Sequence, residues 1–198
     1  MIYKNYVKRL LDIVFSTFGL VITLIPMLVI GIVIKMTSEG TVFFRQQRFG
    51  KNSEPFTMFK FRTMATGSPI VANQDFGDMS EYVTSVGAFL RKTSLDELPQ
   101  LWNVLRGEMS FVGPRPLADT DMEVIELRRA NGGDCVRPGI TGLAQVNGRN
   151  KLTNAMKAEF DSKYAMNLNF ILEFKIVLMT LLAVVSREGI NHNDGESL

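Results

Sequence analysis

Two residue types that build soft-metal sites and proton relays are almost missing from this chain. It has one cysteine, Cys135, and one histidine, His192. A single cysteine excludes an internal disulfide and favours a reducing compartment. A single histidine in a polar tail leaves no Ser-His-Asp relay and supplies zinc or copper poorly. Hard cations that prefer carboxylate oxygens stay open, magnesium first. An excess of charge of one sign is also missing. The formal net charge is +2, and without a clustered basic face it argues for no nucleic-acid partner. With 198 residues and 46% hydrophobic content, the chain can bury one substantial core and has no room for a second full domain.

What is abundant is apolar length near the start. Ile13 to Ile34, "IVFSTFGLVITLIPMLVIGIVI", carries no charge and is long enough to cross a hydrocarbon core of roughly 30 Å as one helix. Pro26 sits in mid-run, where it removes a backbone donor and favours a kink. The arm before it reaches about 20 Å and the arm after it about 14 Å, so neither crosses alone. Lys4, Lys8 and Arg9 precede the run, and Lys35, Arg45 and Arg48 follow it. Basic residues mark the cytoplasmic side, and here they mark both ends. That balance favours a re-entrant helical hairpin, with a Pro-kinked span as the alternative. A cleaved signal peptide fits poorly, because the run is too long and no cleavage pattern follows.

After this anchor, "TVFFRQQRFGKNSEPFTMFKFRTM" alternates polar and apolar residues around a Gly50-Lys51-Asn52 turn, which predicts two extended segments. Period two places Lys60 and Arg62 on one face and Phe59 and Phe61 on the other. Residues Gly67 to Ser80 read as a mobile loop, and Val83 to Arg91 as a short helix. Pro99 to Arg106 predicts a helix with proline first and Gly107 just past its end. Asp119 or Thr120 can cap a helix through Arg129. Thr153 can cap another, in which Met156, Phe160 and Tyr164 form one apolar stripe. A last helix, about Phe170 to Val185, reads as packed on the core or lying at a membrane interface. The divisions are a membrane anchor over 1–36, a catalytic domain over 37–186 and a disordered polar tail over 187–198.

Asp96 and Glu97 stand side by side in "SLDELPQLWNV". Ser94 to Glu97 fits a capping box, but in that register Pro99 falls inside the helix, where its nitrogen should donate. With Leu98 as the cap, the two carboxylates stand just ahead of the helix's positive end. On extended backbone they point to opposite sides, which argues for two different jobs. One can attack phosphorus while the other holds a metal or orients a group; the structural alternative is that both merely complement the helix dipole.

Lys60, Arg62, Arg91, Arg115, Arg137 and Arg149 are six cations in turn-rich or extended segments, the setting in which a diphosphate finds donors. Arg115 lies between Pro114 and Pro116, whose fixed φ angles stiffen the backbone. Asp119-Thr120-Asp121 is a lone DxD, the tripeptide of metal-dependent glycosyltransferases, placed where a helix cap is expected. Gly139, Gly142 and Gly148 do not make a phosphate loop.

In order behind the apolar segment, "KFRTM", "LRKTSLDELPQLWNVLRGEMSFVGPRP" and "RPGITGLAQVNGR" resemble the bacterial sugar transferase family, from about Lys8 to about Met179. Its members are monotopic phosphoglycosyl transferases that begin glycan assembly on a polyprenyl phosphate. The resemblance implies an α+β monotopic membrane protein, with an N-terminal re-entrant, Pro-kinked helical hairpin and a small, mostly helical domain at the cytoplasmic face of the inner membrane. It also implies transfer of a sugar 1-phosphate from a UDP-sugar to undecaprenyl phosphate, with release of UMP. By position, Asp96 matches the family's nucleophile and Glu97 its acidic partner; the role of Glu97 stays between magnesium binding and proton handling. Both are the candidate ligands for Mg2+. Lys60, Arg62, Arg115 and Arg149 match basic positions of the motifs. Glu173 stands where relatives often carry Asp, and Asp161 and Glu173 are carried as further candidate site residues. The family hairpin often has Ser before the proline, where this chain has Ile25. The partners implied are the UDP-sugar, undecaprenyl phosphate and membrane lipid, and an apolar anchor is compatible with a homodimer. The rival readings are a DxD-type glycosyltransferase and a noncatalytic membrane scaffold for glycan assembly.

Overall fold

The computed structural model describes residues 2–68, 82–148 and 151–186. The expected polar tail and most of the expected Gly67–Ser80 loop lie outside these residues. Among them, helix dominates: α1 (Lys8–Thr37), α2 (Ser85–Thr93), α3 (Gln100–Arg106), α4 (Met122–Asn131), α5 (Leu143–Val146), α6 (Asn154–Met166) and α7 (Phe170–Ser186). Two small sheets complete it. β1 (Phe43–Phe49) and β2 (Pro55–Phe61) form an antiparallel hairpin, in which Phe43 faces Phe61 and Phe49 faces Pro55. β3 (Ser110–Val112) and β4 (Gly139–Thr141) form a parallel pair.

Where the sequence predicts two arms parting at Pro26, the chain forms one helix of 30 residues with the proline inside it. Lys8, Asp12, Ser16 and Ile34 are buried, Gly19 packs against Leu101, and Met27 and Ile30 pack on the cluster of Ile34, Phe61 and Leu90. Spacings of three and four put all of these on one face, so the domain supports the helix along its length. Pro26 lies on the exposed face, where its missing donor costs one hydrogen bond without stopping the helix. By length and composition α1 is the one helix among the described residues able to cross a membrane.

Polar ties fix both ends of α1. Near its start, Arg9 donates to the carbonyls of Val104 at 2.7 Å and Leu105 at 2.8 Å, satisfying the open end of α3 with a cation. Lys8 donates to Val112 O at 3.0 Å and pairs with Glu173, which also accepts from Tyr3 and Tyr164. Asp12 Oδ1 accepts from Ser110 Oγ at 2.9 Å. At the far end, Arg62 Nη2 donates to Ser38 O at 2.9 Å and Ser38 Oγ at 2.7 Å.

The two predicted extended segments pair as a hairpin, but burial along them does not alternate as predicted, and Phe61 and Arg62 are both buried; the turn places Asn52 and Ser53 at φ 55. The parallel pair depends on glycine. A Cβ on Gly139 would stand 2.1 Å from Gly113 N, and one on Gly142 would stand 2.0 Å from Gly113 O. Thr84 and Thr153 cap α2 and α6 through Gly87 N and Met156 N, the second as predicted. The predicted stripe on α6 is displaced: Tyr164 is buried, but Met156 is 43% exposed. The buried face carries Ala158, Asp161, Ser162, Tyr164 and Ala165 instead. Two alanines let neighbouring elements approach closely, and Asp161 there meets Arg128 of α4.

Candidate active site

Leu95, Asp96 and Glu97 form one 3-10 turn between α2 and α3, where the sequence predicts extended backbone. Leu95 and Leu98 both pack on Ile34, Phe61 and Leu90, and burying two leucines three residues apart requires a turn. The two carboxylates are therefore about 120° apart around the turn rather than on opposite sides. Ser94 is left-handed at φ 57 and makes no side-chain cap, so the capping box does not form. Its nitrogen instead closes the end of α2 on Arg91 O and Leu90 O.

This turn brings four of the predicted site residues together. Asp96 is 8% exposed, and burial pushes its carboxyl pKa up. The Lys60 ammonium opposes that shift, the Glu97 carboxylate adds to it, and the Arg91 guanidinium opposes it again. Lys60 Nζ, from β2, donates to Glu97 Oε1 at 2.6 Å. Arg91, in the last turn of α2, is aimed by its Nε bond to Thr63 Oγ1 at 3.0 Å. Burial pushes the Arg91 pKa down and Asp96 holds it up. Thr63 is the one supporting residue here that sequence reasoning missed. A Cβ on Gly87 would stand 2.0 Å from Thr63 O, so a glycine lets α2 settle against that backbone.

The remaining candidates lie elsewhere or serve other contacts. Arg62, although two residues from Lys60, turns to the end of α1. Arg137 Nε donates to Gly107 O at 2.7 Å. Glu173 is taken up by Lys8, Tyr3 and Tyr164. Asp161 is fully buried and accepts from Arg128 Nε at 2.8 Å and Arg128 Nη2 at 2.6 Å. Arg128 Nη1 in turn donates to Arg115 O at 2.9 Å, so Asp161 supports the loop carrying Arg115. The Arg115 side chain is exposed, and its charge acts on Arg48. Arg149 lies outside the described residues. Asp121 of the DxD accepts from Ala118 N at 3.0 Å, a capping contact.

Asp96 and Glu97 are the two hard ligands this turn would offer a metal. Among the described residues no group of three or more acidic, histidine or cysteine side chains is assembled, so a cage made by protein alone is absent from them. Asp96 and Glu97 fit the other mode of magnesium binding, in which one or two carboxylates share the ion with substrate phosphates. The raised pKa of Asp96 is what a nearby cation would offset.

Comparison with known proteins gives the family. The chain is 39% identical to the uncharacterized sugar transferase EpsL of Bacillus subtilis, over 94% of this chain and 91% of the relative. It is 38% identical to the exopolysaccharide production protein ExoY of Sinorhizobium fredii, over 92% and 87%. It is 39% identical to the UDP-glucose:undecaprenyl-phosphate glucose-1-phosphate transferase of Escherichia coli, over 90% of this chain but 40% of that longer protein. Residues 3–187 match the bacterial sugar transferase model, and the chain belongs to that family.

Proposed function

We propose that this chain transfers a sugar 1-phosphate from a UDP-sugar to undecaprenyl phosphate through a covalent intermediate on Asp96, as the first membrane step of glycan assembly. The names of its relatives support the reaction class. The observation that carries the residue assignment is the buried carboxyl of Asp96, on which the charges of Lys60 and Arg91 both act. Burial makes a carboxylate more basic, hence a better nucleophile, while the two cations favour its ionised form.

In the first half-reaction, an Asp96 oxygen attacks the β-phosphorus. The bond from that phosphorus to the bridging oxygen breaks, and UMP leaves with the electron pair. Lys60 and Arg91 face the negative charge that spreads over the phosphate oxygens. Glu97 holds Lys60 in place. In the second half, an oxygen of undecaprenyl phosphate attacks the same phosphorus, the bond to Asp96 breaks, and the carboxylate is restored. Magnesium, held by Asp96, Glu97 and the diphosphate, would neutralise charge on the substrate. Arg115 and Arg149 are further phosphate contacts in this scheme.

The membrane reading is monotopic, with the domain at the cytoplasmic face. Both ends of α1 are tied to one domain, which supports both standing on the same side of the bilayer. The outward face of α1 exposes Phe15, Phe18, Ile22 and Ile25, and α7 exposes Phe170, Ile171 and Phe174. Such faces are favourable in lipid.

Purified protein in nanodiscs, given magnesium, undecaprenyl phosphate and a panel of UDP-sugars, tests this reading by UMP release. One or more sugars should release UMP, and Asp96→Asn should abolish it. Undiminished release from Asp96→Asn overturns the nucleophile, and silence from folded wild type across the panel overturns the reaction.

A further inference from the structure

Lys60 reaches the acidic turn from β2, and the sheet alone does not hold β2 there. Among the described residues β1 is its one strand partner, so the other edge of β2 needs hydrogen bonds from elsewhere. Asn103, in the middle of α3, supplies them. Its Oδ1 accepts from Phe59 N at 3.1 Å, and its Nδ2 donates to Thr57 O at 2.7 Å. The second hydrogen of Nδ2 goes to Glu108 Oε2 at 2.7 Å. One side chain thus pairs with β2 as a neighbouring strand would. At 0% exposure it does so out of water, where an unmade bond is costly.

Other contacts also join β2 to the acidic turn and to α3. Phe61 shares a cluster with Leu95 and Leu98, Met58 shares one with Val104, and Lys60 pairs with Glu97. Apolar packing is non-directional and sets distance rather than register. The ion pair keeps 22% and 31% of its side chains exposed, a setting in which such pairs hold little by themselves. Of these contacts, only the one through Asn103 fixes two backbone groups along the strand. A slip of β2 by two residues would carry Lys60 about 7 Å along the strand axis.

We propose that Asn103 is a positioning residue of the active site: its amide fixes the register of β2 against α3 and so sets the Lys60 ammonium on Glu97, at the acidic pair. Glu108 completes the device by taking the amide hydrogen that β2 does not use. That Lys60 then faces a substrate phosphate rests on the transferase reading; the placement of Lys60 does not.

A double-mutant cycle separates positioning from mere folding. Full-length wild type, Asn103→Ala, Lys60→Met and the double variant in nanodiscs are compared by UMP release across pH, with rates taken per folded protein. Asn103→Ala should lower kcat/KM for the UDP-sugar by about tenfold and move the acid limb to higher pH, as Lys60→Met does. In the Lys60→Met background the same change should lower it by less than about twofold, because the residue it acts through is gone. An equal loss in both backgrounds, or a folded Asn103→Ala with an unmoved limb, overturns the proposal. Should Asn103→Ala not fold, Asn103→Asp combined with Glu108→Gln keeps the acceptor for Phe59 N and loses the donor to Thr57 O. The same limb shift, absent again in the Lys60→Met background, is then expected.

A readout without turnover keeps the two readings apart. In protein carrying Cys135→Ser and Asp96→Cys, the pH dependence of thiol alkylation by iodoacetamide reports the charge around position 96. Adding Asn103→Ala should raise the thiol pKa, as adding Lys60→Met should. That shift, in a protein whose wild type releases no UMP, would keep the clamp and reject the transferase reading. An unmoved thiol overturns the clamp whatever the turnover.

Discussion

Lys60 Nζ stands 2.6 Å from Glu97 Oε1, so the cation that draws down the pKa of Asp96 is itself held by the neighbouring carboxylate. Lys60 and Glu97 act on Asp96 with opposite signs. Lys60→Met should move the acid limb of the donor half-reaction's pH profile to higher pH, because Asp96 then protonates more easily. It should also cost roughly 10-fold to 100-fold in kcat/KM for the UDP-sugar through the lost phosphate contact. Glu97→Gln should move the same limb to lower pH. Shifts of equal sign in the two variants would show that these groups do not set the charge of Asp96.

The same burial predicts a conflict between activity and stability. The folded-state pKa of Asp96 is raised, so its contribution to stability is present when the group is protonated and is lost as pH rises through that pKa. Asp96→Asn is neutral at every pH. Its melting temperature should exceed that of wild type at pH 7, and the gap should close below the unfolded carboxyl pKa of about 3.9. Scanning calorimetry at both pH values, with chelator present, checks this. A variant less stable than wild type at pH 7 would contradict it.

Lys8 and Glu173 form a nearly dry ion pair that joins the start of α1 to α7. Removing one partner leaves a buried charge, which costs about 3–5 kcal/mol. Lys8→Met should lose that much in chemical denaturation. The double change Lys8→Met with Glu173→Leu should recover most of it, since an apolar pair of similar volume needs no compensation. Equal losses in the single and double variants would mean that packing, not charge, governs the joint.

Gly139 has no room for a methyl group, because a Cβ would stand 2.1 Å from Gly113 N, a backbone atom that cannot turn away. Gly139→Ala should yield little folded protein by size-exclusion chromatography, whereas Gly132→Ala, with nothing near its Cβ, should fold at the modest cost of a left-handed alanine. A fully folded Gly139→Ala protein would show that the parallel pair is looser than described.

The proposed monotopic arrangement makes a labelling prediction. With Cys135→Ser as background, the single changes Ile2→Cys and Glu39→Cys, both at exposed positions, should react with a membrane-impermeant maleimide from the same side of sealed vesicles. Reaction from opposite sides would mean that α1 crosses.

Much of this was legible in the sequence, for identifiable reasons. Mixed polar and apolar residues around the Gly50-Lys51-Asn52 turn signalled the hairpin, and Thr153 announced α6 through its cap. The acidic pair and two of its cations, Lys60 and Arg91, were also readable, because short-range motifs carry them. The parallel pair β3–β4 was not, since each strand has three residues, too few for any periodicity. The unbroken course of α1 through Pro26 depends on contacts with Leu101, Phe61 and Leu90, which no local pattern contains. For the same reason Arg62 reads like Lys60 in sequence yet ends at Ser38.

The central claim is a covalent phosphosugar on Asp96. Wild type incubated with a UDP-sugar labelled at the β-phosphate and no lipid acceptor, then digested and analysed by mass spectrometry, tests it most directly. A covalent intermediate predicts close to one equivalent of label on the peptide containing Asp96, an equal amount of UMP, and neither from Asp96→Asn. An unlabelled protein that releases UMP only when undecaprenyl phosphate is added would contradict it, because transfer would then be a single direct displacement.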